Sequence, residues 1–115
     1  MKRVGVGVTI LMAVGFMLTR VAFSETHGDA KAGKAIYDSR CAVCHGANGA
    51  GDGPAGKALK PNPAANFTDA RFMGSMTDAH FEASIKKGLN AMPPFASLSD
   101  KDRADVLAYI RAIKK

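Results

Sequence analysis

The chain has 115 residues, 47% hydrophobic and 7% aromatic, with two cysteines, no tryptophan and a formal charge of +6. That length points to one domain. With no basic stripe carrying interleaved aromatics, nucleic-acid binding is not expected.

Residues 1–24 read as an address. "MKR" is a short positive start, and "VGVGVTILMAVGFMLT" is an apolar run. "AFS" then places Ala22 and Ser24 at the minus three and minus one positions of a cleavage site, with Arg20 an awkward charge nearby. The apolar run is short for a bilayer crossing, which needs about 20 residues. A cleaved signal peptide is therefore expected, with an uncleaved anchor as the alternative. Either way residues 25–115 form the working domain and lie outside the cytoplasm, a periplasmic location. Lys2, Arg3 and Arg20 leave with the signal, so 13 of the 16 basic residues then face 10 acidic ones. A domain this small has a thin core, and such domains often need a disulfide, a metal or a cofactor.

Residues 25–30 look like a loose tail. From Asp29 to Cys44 the pattern is helical, with Asp29 as N-cap and with Gly33 and Tyr37 on one face. Residues 46–66, "GANGAGDGPAGKALKPNPAAN", are rich in Gly, Pro and Asn and read as a long loop wrapped around a bound body. A second helix is expected from Thr77 to Lys87, ended by Gly88. Pro93 and Pro94 then enforce a loop. The last helix begins at Ser99, where Ser99 and Asp102 resemble a capping box, and Val106, Ile110 and Ile113 form its apolar stripe. No alternating β-pattern and no repeat are found. The expected fold is all-α, with three or more helices.

"CAVCH", residues 41–45, holds both cysteines. On a helix, positions i, i+3 and i+4 share a face, so Cys41, Cys44 and His45 point the same way. Two such thiols can add across the vinyl groups of a haem while the imidazole binds its iron. C-x-x-C-H is the signature of that attachment. The rivals are weaker. A thioredoxin-type dithiol needs a strand before its helix. Structural zinc needs four ligands, and only His27 and His80 could complete the set. A Cys41–Cys44 disulfide closes too small a loop to stabilise much.

An electron carrier gains from an iron closed on both faces, and a thioether opposite histidine raises its potential. Met73, Met76 and Met92 offer sulfur; His27 and His80 offer nitrogen. Met92 is the expected ligand, because Pro93 and Pro94 stiffen its loop. Met73 and Met76 read as packing, His80 as surface and His27 as tail.

With these residues in place, nearly all of the segment after the signal resembles the class I c-type cytochromes. The likeness rests on "CAVCH", "GANGAGDGP", "GLNAMPPF" and "LSDKDRADVLAYIRAI". It implies the small cytochrome c fold wrapped around one covalently attached haem c, with Cys41 and Cys44 as attachment points and His45 and Met92 as iron ligands. It also implies that a loop proline, best matched by Pro54, accepts a hydrogen bond from His45 through its carbonyl. The first and last helices should cross at Gly33 and Tyr37 against Tyr109. Where relatives place a tryptophan near a propionate, this chain offers Asn66, Arg71 or a backbone N–H. Phe67, Phe72 and Phe95 would pack on the haem. Lys57, Lys60, Lys86 and Lys87 could ring its exposed edge, though plain solvated surface is preferred slightly.

The resemblance implies a non-enzymatic one-electron carrier between periplasmic or membrane redox partners. Two propionates would largely offset the remaining positive charge, so strong steering is not expected. A monomer is the simplest expectation, touching membrane only through an uncleaved N-terminus. The alternatives are a cytochrome subunit of a larger dehydrogenase or reductase complex, and a haem sensor or enzyme with a labile distal ligand.

Overall fold

A computed structural model describes residues 27–113. Residues 1–24, expected to be a signal with its cleavage site, and Lys114 and Lys115 lie outside the described residues. Six helices follow in order: α1 (Ala30–Arg40), α2 (Ala42–His45), α3 (Pro54–Lys57), α4 (Ala70–Ser75), α5 (Asp78–Lys87) and α6 (Asp100–Ile113). Among the described residues there is no strand, and no helix is long and apolar enough to cross a membrane.

The starts of α1, α4, α5 and α6 are side-chain caps, whereas α2 and α3 begin without one. The Asp29 carboxylate accepts from the Lys31 and Ala32 N–H groups at 2.8 and 3.3 Å. Asp69 does the same for Arg71 and Phe72, and Thr77 Oγ1 accepts from the His80 N–H at 3.2 Å. The expected capping box of α6 is present in both directions. The Asp102 N–H donates to Ser99 Oγ, and the Ser99 N–H donates to Asp102 Oδ2, at 3.0 and 3.1 Å. Gly88, at φ +78°, ends α5.

Three boundaries differ from expectation. The first helix does not run unbroken to Cys44. It breaks at Cys41, although the His45 N–H still reaches the Cys41 carbonyl at 2.9 Å, so the helical turn continues. The 46–66 loop contains α3, because Pro54 suits the first helical position. Asp69 nucleates α4 just before α5.

The core gathers Tyr37, Phe67, Met73, Phe81, Ile85, Val106, Leu107 and Ile110. Its frame is the crossing of α1 and α6, where Gly33 meets the α6 backbone. A Cβ at Gly33 would lie 1.9 Å from the Asp105 carbonyl oxygen, so only glycine allows this approach. The Tyr37 and Tyr109 rings pack 5.1 Å apart beside it, as the resemblance implied. Asp105 closes the same corner. Its buried carboxylate accepts from the Asp29 N–H at 2.7 Å and pairs with Lys101.

Candidate functional site

Cys41, Cys44 and His45 occupy one helical turn at the junction of α1 and α2, tied by the Cys44 and His45 N–H groups to the Cys41 carbonyl. The turn is held from behind. The buried Tyr37 hydroxyl donates to the Gly46 carbonyl at 2.7 Å. The Gly51 and Gly53 N–H groups return to the His45 and Cys44 carbonyls at 2.8 and 3.2 Å. Gly56 lies so close to the Cys44 carbonyl that a Cβ would meet it at 2.0 Å. The glycine-rich loop is therefore a backbone saddle laid against the attachment turn.

His45 is oriented by two contacts. Its Nδ1 lies 3.1 Å from the Ala65 carbonyl oxygen. A carbonyl only accepts, so Nδ1 carries the proton and Nε2 keeps its lone pair. The ring also stacks on Phe67, with centroids 4.6 Å apart and planes 18° from parallel. Burial pushes the imidazole pKa below its ordinary value, and the Ala65 bond partly opposes this. The ring is thus neutral at neutral pH, the state a metal needs. Burial, followed by the neighbouring Cys44, pushes the Cys41 thiol up to about 11.

The acceptor expected for His45 was Pro54, and this is corrected. Pro54 is exposed and opens α3. The close approach of Gly53 and Gly56 seats that helix on the Val43–Cys44 backbone rather than behind the ring. The chain reaches the back of His45 only later, at Ala65 and Phe67. Loop composition carried no signal for which carbonyl would arrive there.

Two adjoining clefts flank His45, of ≈ 190 and ≈ 90 Å³. Both are lined by Cys41, His45, Leu89 and Met92. Cys44, Pro63, Pro93 and Phe95 extend the first; Phe67, Phe72, Met76, Phe81 and Ile110 extend the second. The structure thus brings both cysteines, His45 and Met92 to one largely apolar cavity. Its donor set, two thiols, an imidazole with a free Nε2 and a thioether, fits a covalently held haem.

Met92 is held by more than its prolines. Its N–H and carbonyl pair with the carbonyl and N–H of Leu89 at 2.9 and 3.1 Å, closing a tight turn. Asn90 takes φ +53° in that turn, a conformation asparagine tolerates. The Phe95 N–H binds the Ile85 carbonyl at 2.8 Å, fastening the loop to the end of α5.

The other candidates separate. Met73 is buried in the core and lines neither cleft, whereas Met76 and the exposed His80 border the second. Asn66 Oδ1 accepts from the Thr68 N–H and hydroxyl at 2.9 and 2.6 Å, and Arg71 is exposed. Lys57, Lys60, Lys86 and Lys87 are exposed, and none lines either cleft; the cation at the first cleft is Arg40. The large hydrophobics left exposed among the described residues are Val43 at 55% and Leu89 at 49%, both on that cleft. Sequence reading passed over Val43 and Arg40, although both sit in or beside "CAVCH".

Comparison with known proteins gives a consistent result. Residues 28–110 match the family described as cytochrome c oxidase, cbb3-type, subunit III. The chain is 33% identical over 109 residues to cytochrome c6 of Synechocystis, covering 92% of this chain and 82% of the relative. It is 34% identical over 96 residues to cytochrome c-554(547) of Halothiobacillus neapolitanus, covering 76% of this chain and 99% of the relative. Among solved structures it resembles cytochrome c6 from the diatom Phaeodactylum tricornutum, at 32% identity and TM-score 0.52, over 74% of this chain and 93% of that one. It also resembles a chain of the Kuenenia stuttgartiensis reducing HAO-like protein complex, at 28% identity and TM-score 0.64, over 76% of this chain but 44% of that one.

Proposed function

This chain belongs to the c-type cytochromes, in the family described as cytochrome c oxidase, cbb3-type, subunit III, and on that premise we propose that it carries single electrons between periplasmic or membrane redox partners. The observation that supports this reading is the convergence of Cys41, Cys44, His45 and Met92 on one apolar cavity. The cofactor of the family is covalently bound haem c, whose iron supplies the one-electron couple. In our reading Cys41 and Cys44 would hold it through thioethers, and His45 Nε2 and the Met92 sulfur would bind its iron.

The protein's own residues do the rest. Ala65 and Phe67 fix the His45 ring, so that its lone pair keeps one direction. The Leu89–Met92 turn holds the thioether on a short, doubly bonded backbone. A ligand that does not move between oxidation states keeps reorganisation small. Phe67, Phe72, Phe81 and Ile110 give the second cleft apolar walls. Val43 and Leu89 leave an apolar mouth at the first, where a partner's cofactor can approach. Residues 25–115 are read as the domain exported behind the signal segment, and as a monomer.

The test is absorption spectroscopy of protein exported in a host that matures c-type haem. Wild type should show covalent haem and the weak red charge-transfer band of ferric iron–sulfur ligation. Met92→Ala should keep the haem and lose the band. A band that survives in Met92→Ala would reassign the distal ligand, and a wild type open to carbon monoxide would favour a sensor or enzyme.

A second reading is a cytochrome subunit held in a larger redox complex. The likeness to a chain of the HAO-like complex supports it. Size determination on native extracts separates the two: a carrier elutes near its monomer size, and a subunit elutes with its assembly.

A further inference from the structure

Arg111, on α6, was given no role by the sequence, yet it makes the densest set of side-chain bonds near the cavity. Its Nη1 donates to the Met73 carbonyl at 2.7 Å, and Nη2 to the Met76 carbonyl at 2.6 Å. Nε and Nη2 both donate to Asp78 Oδ1, at 2.9 and 2.7 Å. The guanidinium carbon stands 4.8 Å from the centroid of the Phe81 ring. Met76 and Phe81 both line the second cleft, alongside His45 and Met92. One planar fork thus joins the end of α4, the start of α5 and an aromatic wall of the site.

From this geometry we propose that Arg111 is a positioning residue for the site: it clamps the Met73–Asp78 corner and the Phe81 ring as the wall of the cleft that Met92 shares, and so keeps Met92 closed over the iron. The inference rests on the electron-carrier reading with Met92 as ligand. The fork, not the charge, is what the site needs. Arg111 aims donors at three separate acceptors while stacking on a ring, and a lysine ammonium has neither the reach nor the planarity to do all of this. Asp78, 69% exposed at its side chain, fixes the rotation of the fork at its open end. Without the clamp the α4–α5 corner is free to move away from α6, and Met76 and Phe81 move with it. The cleft that Met92 shares then loses a fixed wall, and its thioether leaves more readily.

The experiment uses the full-length holoprotein in its ferric state and measures two quantities well below the melting temperature. These are the rate at which cyanide displaces the distal ligand, and the midpoint potential. Arg111→Lys and Arg111→Met should both speed cyanide binding about tenfold, a barrier lower by about 1.4 kcal/mol. Both should also lower the midpoint potential, as water reaches the site. Asp78→Asn should give a smaller change in the same direction. Arg103→Lys is the control. Arg103 is a buried arginine of the same helix that binds the Leu98 carbonyl and Asp100 and lines neither cleft. Its substitution should lower stability and leave the cyanide rate and the potential within twofold and unshifted.

Cyanide rates in Arg111→Lys and Arg111→Met within twofold of wild type would overturn the proposal. So would an Arg103→Lys rate raised as much as theirs, because general loosening would then explain the effect. An Arg111→Lys protein that behaves as wild type while Arg111→Met does not would make the charge, not the fork, the cause, and would also overturn it. If Arg111→Met fails to mature, Arg111→Lys and Asp78→Asn decide. A wild type without haem, or with an iron already open, would instead sink the electron-carrier reading, and spectra of the wild type separate that failure from this one.

Discussion

Tyr37 shows how one side chain can serve both frame and site. Its ring packs against Tyr109 and Phe67, and its hydroxyl donates to the Gly46 carbonyl at the end of the attachment turn. The ring is fully buried, and burial holds the phenol well above its ordinary pKa, so it remains a donor across the working pH range. Tyr37→Phe keeps the packing and removes only the hydroxyl's bond, leaving the buried Gly46 carbonyl with the Gly49 N–H, at 3.1 Å, as its remaining partner. The expected loss is that of one ordinary hydrogen bond, about 0.5–1.5 kcal/mol in denaturant unfolding. The red charge-transfer band should persist, since neither His45 nor Met92 is touched. A variant as stable as wild type would show that water can replace the hydroxyl. Pro54 teaches the opposite lesson at the same scale. A resemblance suggested its carbonyl for His45, and the structure gives that bond to Ala65, eleven residues later in the chain.

Among the elements, the α1–α6 crossing carries the frame, and Gly33 sets its distance. A methyl there would fall 1.9 Å from the Asp105 carbonyl oxygen and inside contact range of the Val106 nitrogen. Both are backbone atoms, which cannot rotate away. Gly33→Ala must therefore push α1 off α6, at an expected cost of about 3 kcal/mol in reversible unfolding. The ordinary benefit of replacing a helical glycine with alanine, about 1 kcal/mol, is smaller and does not reverse the sign. A neutral or stabilising Gly33→Ala would mean that the two helices do not meet as described. The short helices depend on their surroundings differently. A four-residue helix such as α2 or α3 has little stability of its own. Each exists because the saddle of residues 46–66 returns its backbone to the attachment turn.

At the scale of the whole molecule, the cavity through the middle makes folding and cofactor attachment one problem. Eight hydrophobic side chains are buried among the described residues, and several of them, including Phe67, Phe81, Ile85 and Ile110, face the second cleft. A haem in that space would supply apolar contacts that so small a core otherwise lacks. Cys41→Ala with Cys44→Ala should therefore give a largely unfolded chain by far-UV circular dichroism. A cooperatively folded, helical apoprotein would contradict this. Acid stability has a separate handle in Asp105. The Lys101 ammonium and the Asp29 N–H hold its carboxyl below the ordinary value of 3.8, against the desolvation that raises it. Its folded pKa is lowered, so its contribution is present above the unfolded pKa and is lost as pH falls through the folded one. Asp105→Asn should reduce stability at neutral pH and flatten the fall in stability below about pH 4. An unchanged acid limb would show that other carboxylates control it.

Local chemistry written in adjacent residues was legible without a structure. "CAVCH" names its cofactor because three reactive side chains within five residues must share a helical turn. The caps at Asp29, Thr77 and Ser99 could be read because a cap bonds within three residues of itself. That Met92 would border the site was within reach because a proline-stiffened loop holding a methionine is itself a local pattern. The tertiary structure alone decided which distant groups meet these residues. The Ala65 carbonyl on His45, the Phe67 ring stacked on it, and Arg111 reaching Met73, Met76 and Asp78 across more than thirty positions are examples. A backbone carbonyl has no side-chain identity to read, and an arginine on a helix looks alike whether it faces water or clamps a wall. Such partners are set by the path of the whole chain around the cavity.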